Sequence, residues 1–126
     1  MKTAFDKEVD VTFEDQESIN EFGKLNLRFH ELKTEITNYT NELQNLDDCQ
    51  TEMILFDEDQ PVLVLVSDSF LSLDKQMAEE LIETKIQKIT KNKDTLSEEL
   101  NKIEERMDVL KKLLYAKFGK SINLDD

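Results

Sequence analysis

The sequence has no tryptophan, one cysteine, one histidine, one proline and two glycines among its 126 residues. A lone cysteine, Cys49, excludes an internal disulfide and suits a reducing compartment. A lone histidine, His30, with no second histidine or cysteine at ligand spacing, leaves no metal site of that kind and nothing to activate Cys49 as a nucleophile. With so little glycine there is no phosphate-cradling loop. Asp57-Glu-Asp59 opens like a calcium loop, but Pro61 stands at its fifth position and Val62 where the turn glycine is required. Asn38-Tyr-Thr40 matches a glycosylation sequon yet falls inside a helical pattern. No catalytic constellation, cofactor site or metal site is expected; the chain does not read as an enzyme.

Long apolar runs are also missing. None approaches the ~20 residues needed to span a bilayer, and the N-terminus, Met1-Lys-Thr-Ala-Phe-Asp-Lys-Glu8, lacks the apolar stretch of a signal peptide. The expectation is a soluble cytoplasmic chain without a membrane partner. Clustered basic residues are scarce on a chain of net charge −13. Lys85, Lys88, Lys91, Lys93, Lys111 and Lys112 alternate with acids and read as solvated helix faces, so nucleic acid is not an expected partner. A basic protein partner or an unfolded client stays open.

What the chain does have is heptads. Phe22, Phe29, Ile36 and Leu43 form one seam, interleaved with Leu25, Leu32, Tyr39, Leu46 and Met53. Further on, Ile82, Ile89, Leu96, Ile103 and Leu110 alternate with Ile86, Leu100, Met107 and Leu114, and Lys93 interrupts the seam. Three-then-four spacing sustained this long predicts two helices, each with a narrow apolar stripe. Their similar lengths and short connection predict an antiparallel two-helix coiled coil. The first helix is expected over 12–56, where Thr12 can cap and Asp15 can reach back to it. The second is expected over 74–118, ended by Gly119 in a left-handed cap with Ile122 as its apolar contact.

Between them, 57–73 reads as a linker and β-hairpin. Val62, Leu63, Val64, Leu65 and Val66 form one strand and Phe70, Leu71 and Leu73 the other, turning at Ser67-Asp-Ser69. Apolar residues on both faces of the first strand exceed what an isolated hairpin can bury. The hairpin is therefore expected to join a sheet made with other subunits, with Asp57, Glu58 and Asp59 guarding it against aggregation.

The arm 1–11 and the tail 119–126 flank the coil and converge on its free end. Val9, Val11, Phe13, Tyr115, Phe118, Ile122 and Leu124 put apolar surface there. Two readings stand side by side: Phe13, Leu114 and Phe118 close the coil end, or the group, with Val9, Val11, Ile122 and Leu124 outside the helices, grips other chains.

Val11-Thr-Phe-Glu-Asp-Gln16, Ile19-Asn-Glu-Phe22, Asp57-Glu-Asp-Gln-Pro61, Leu114-Tyr-Ala-Lys-Phe-Gly119 and Ile122-Asn-Leu124 resemble the β-type subunits of the eukaryotic prefoldin chaperone. The resemblance runs in order along nearly the whole chain. The turn departs from the pattern, since the family carries glycine before the aspartate where this chain has Ser67. The resemblance implies a single 1–126 prefoldin β-type domain within a hetero-hexamer of two α-type and four β-type subunits. The hairpins would assemble into a double β-barrel, and the coil tips would hold unfolded actin and tubulin without ATP for transfer to the cytosolic chaperonin. Two other readings are a scaffold or tether coiled coil, which the Val62–Val66 strand opposes, and an arm of an RNA-binding enzyme, which the net charge opposes.

Overall fold

The computed structural model describes residues 10–125, the side chain of Val66 apart. In order it contains α1 (Phe13–Met53), β1 (Val62–Val66), β2 (Ser69–Leu73), α2 (Lys75–Phe118) and a short 3-10 turn at Gly119–Ser121. Contacts divide the chain into two units. One comprises the described residues up to Lys33 and from Glu98 onward; the other comprises Thr34–Ser97.

The helix starts follow from capping. The Thr12 hydroxyl accepts from the Asp15 N–H at 3.1 Å while the Asp15 carboxylate accepts from the Thr12 N–H at 2.9 Å, a reciprocal capping box that opens α1. Asp74 caps α2 by accepting the Met77 N–H at 2.8 Å. At the other end of α2, Gly119 adopts φ 55°, the left-handed region a C-cap requires.

α1 ends at Met53. The next turn tightens, with the Leu55 N–H reaching the Glu52 carbonyl and the Phe56 N–H the Met53 carbonyl, both at 3.1 Å. Such three-residue spacing is the usual way a helix winds down. A further turn, from the Gln60 N–H to the Asp57 carbonyl at 3.0 Å, leads into Pro61 and β1.

In the unit that holds the chain's ends, three ion pairs fix the direction of the helices. Asp15 meets Lys117, Glu21 meets Arg106 and Glu99 meets Arg28. Partners that climb one helix while descending the other define antiparallel pairing. Two of these are two-pronged: Arg106 donates to both Glu21 oxygens at 2.6 and 2.8 Å, and Arg28 to both Glu99 oxygens at 2.8 and 3.2 Å. Planar guanidinium forks specify geometry as well as charge. Every heptad seam residue named above is buried or half-buried, with Leu32 and Leu110 fully enclosed, and Lys93 is half-buried in the seam.

In the other unit β1 and β2 pair antiparallel, Val62 opposite Leu73 through Val66 opposite Ser69. The turn thus has two residues, Ser67 and Asp68, and Ser69 belongs to β2 rather than to the turn. The extra pair follows from Ser67, whose φ of 56° lets the strands close without a third turn residue. Met53, Val62, Ala78 and Ile82 form a buried cluster against which Leu46, Phe56, Val64, Leu73 and Ile86 pack.

Candidate functional site

The hairpin divides its side chains by strand alternation. Val62 is buried, and Val64 and Leu73 are half-buried against the helix cluster. The opposite face carries Leu63, Leu65 and Phe70, exposed to 67%, 56% and 69%. Leu65 lies directly across from Phe70, so these two form a continuous cross-strand patch. Leu71 is half-exposed on the inward face. The sequence reading treats the strand apolar residues as one assembly set; the fold separates them. Val62, Val64 and Leu73 serve the subunit's own core, and Leu63, Leu65 and Phe70 remain uncovered. An apolar cavity of about 490 Å³ lies beside them, bordered by Met53, Val62, Leu63, Val64, Leu65 and Ile82.

Sequence reasoning missed a second exposed group in this unit. Ile54 and Leu55 are 74% and 84% exposed, and Met77 is 52% exposed. A signal was present: Met53 is the last seam position, and Ile54 and Leu55 fall out of heptad phase.

In the unit with the chain's ends, Val11 and Phe13 are 56% and 74% exposed. Tyr115, Phe118, Ile122 and Leu124 are half-buried, and Val9 lies outside the described residues. Of the three residues expected to close the coil end, Leu114 is buried and Phe118 half-buried, while Phe13 points outward from the first turn of α1. The tail folds back on α2. The Leu124 N–H donates to the Tyr115 hydroxyl at 2.9 Å, and the Asp125 carboxylate lies 3.8 Å from Lys111 Nζ. Leu124 borders a small cavity of about 400 Å³ with Phe29, Met107 and Lys111. The anchoring role of the Tyr115 hydroxyl carries no sequence signature, because it depends on the path of the tail.

Electrostatics stiffen this same unit. Lys117, with the Thr12 N–H, holds the Asp15 carboxyl below its ordinary range. Arg106 does the same for Glu21, which in return raises the Arg106 guanidinium, and Arg28 lowers Glu99. These groups stabilise a coil end; they are salt-bridge partners rather than acid–base catalysts.

The prefoldin subunit family model matches residues 16–121. The chain belongs to the prefoldin family. It is 39% identical to prefoldin subunit 4 of Saccharomyces cerevisiae over 115 residues, covering 91% of this chain and 89% of the yeast protein. It is 36% identical to prefoldin subunit 4 of Homo sapiens over 126 residues, covering 99% and 94%. Within prefoldin it groups with subunit 4, a β-type subunit. The fold is that of the solved prefoldin beta subunit from Thermococcus strain KS-1, with a TM-score of 0.75 at 14% identity over 86% of this chain and 96% of that one. Prefoldin is a chaperone complex that delivers substrates to chaperonin, and its subunits are non-catalytic. As a prefoldin subunit, the chain assembles with other subunits of that complex. Among the described residues no helix is long and apolar enough to cross a membrane.

Proposed function

We propose that this chain is a β-type arm of a cytoplasmic hetero-hexamer of two α-type and four β-type subunits. It joins the other subunits through its hairpin and holds unfolded actin and tubulin at its chain ends, without ATP, for transfer to the cytosolic chaperonin. The observation that carries the assembly half is the exposed hairpin face of Leu63, Leu65 and Phe70. Three large apolar side chains on one sheet face, left in water, are a hazard unless a partner covers them. The capture half rests on Val11 and Phe13, exposed on either side of the capping residue Thr12, and on Tyr115, Phe118, Ile122 and Leu124, half-buried in the same unit. Val9 belongs to the same proposed group by its place in the sequence. Each such contact is shallow, so holding a client relies on several arms engaging at once, and weak individual contacts permit release.

Replacing Val11, Phe13, Ile122 and Leu124 with serine tests the capture half. The complex should form with its normal mass while suppression of actin aggregation after dilution from denaturant falls several-fold. Suppression equal to wild type would overturn the assignment of these residues.

A further inference from the structure

The acidic charge of the chain is not evenly spread. Between Asp47 and Glu83 there are eleven acidic residues and a single basic one, Lys75. That lysine is already engaged: its side chain is only 13% exposed, it donates to the Phe56 carbonyl at 3.1 Å, and it lies 3.7 Å from Glu58. By contrast, from Glu98 to Asp125 six acids are matched by six basic residues. Residues 10–46 carry a smaller excess, eight acids to three basic residues, so the steepest imbalance belongs to the hairpin and the helix ends beside it. Carboxylates bracket the strands at every end, with Asp57, Glu58 and Asp59 before β1, Asp68 in the turn and Asp74 after β2. All five residues are exposed, and neither strand contains a charge.

We propose that this acid-rimmed apolar face is built for a basic mate: a different subunit whose docking segment presents Lys and Arg around its own apolar centre. The inference rests on the assembly reading above and adds the chemistry of the partner. An apolar face alone does not discriminate among sheet faces, and a second copy of this chain would offer a matching one. Two copies would set one acidic rim against another, with Lys75 already engaged and Lys85, beside the neighbouring cavity, the nearest cation left to relieve them. Like charges facing across an interface cost enough to reject a wrong partner. A basic rim converts the same carboxylates into attraction, and it accelerates encounter because the field extends about 10 Å at 0.1 M salt.

The test measures how fast the purified full-length chain joins the remaining prefoldin subunits, using wild type and the variant Asp57→Lys/Asp59→Lys/Asp68→Lys, at about 50 and about 500 mM salt. None of the three substituted residues caps a helix or sits in the buried cluster. Wild-type association should slow by about tenfold or more at high salt, as electrostatically steered encounters do. The reversed variant should be slow at low salt and insensitive to added salt. A wild-type rate indifferent to salt, a variant that joins at the wild-type rate, or a stable homodimer of the isolated wild-type chain at low salt would each overturn the proposal. The variant Leu63→Ser/Phe70→Ser, run alongside with helix content checked by circular dichroism, separates the two layers. If it assembles normally, the assembly reading itself has failed; if it does not join, the salt results bear on partner charge alone.

Discussion

Ser67 holds a left-handed backbone at φ 56°, a conformation in which a Cβ crowds the neighbouring carbonyl. It sits at the first position of a two-residue hairpin turn, where glycine is the natural occupant. Ser67→Gly should relieve about 1 kcal/mol of that strain. Amide hydrogen exchange across Val62–Leu73 should then slow by several-fold, and faster exchange would show that the serine hydroxyl contributes more than its Cβ costs. The hairpin itself is legible in the residues, because apolar β-branched runs bounded by acids admit few other readings. The turn length is not legible, because Ser69 is equally suited to a turn or a strand edge until the pairing with Val66 decides it.

At the scale of elements, the heptad seams are readable because one residue in every three or four must be apolar for the helices to meet. Where α1 stops was harder to read. Ile54 and Leu55 continue the apolar run past the last seam position, and the tightened turn over 52–56 leaves them in solvent. The ion pairs between α1 and α2 are invisible in sequence, since any of the many acids is a candidate for each arginine; only the antiparallel pairing selects Glu21 and Glu99. Their carboxyls lie below the ordinary value in the folded chain. Their contribution to stability is therefore complete above the unfolded-state value of about 4.3, and it is lost as pH falls through the lowered folded-state values. Protonation also relieves repulsion among the crowded acids around the hairpin, so the comparison must be made against a variant. Glu21→Gln/Glu99→Gln should lower the melting temperature at pH 7 and narrow the gap from wild type below about pH 4. A gap that stays constant from pH 7 to pH 3 would mean these pairs contribute nothing.

For the molecule as a whole, the two units divide the chemistry. The unit holding the chain's ends has the smaller excess of acids, twelve against nine basic residues among those described, with forked ion pairs and a folded-back tail, and Val11 and Phe13 left outside. The Thr34–Ser97 unit has the hairpin, an excess of carboxylates and an uncovered apolar face. That an isolated hairpin needs partners is legible from apolar residues on both strand faces. Which residues face those partners is not, because alternation alone does not say which face the helices take. The fold assigns Val62 and Val64 to the subunit's own core, so polar substitutions there would damage folding and assembly together.

The role proposed for the outward hairpin face is to make this chain a component of a larger complex. Native mass measurement after co-expression with the other prefoldin subunits tests it most directly, comparing wild type with Leu63→Ser/Leu65→Ser/Phe70→Ser. Wild type should appear in one hetero-oligomeric species, and the triple variant should be found alone, still helical by circular dichroism. A triple variant incorporated as fully as wild type would show that this face is not what joins the chain to its partners.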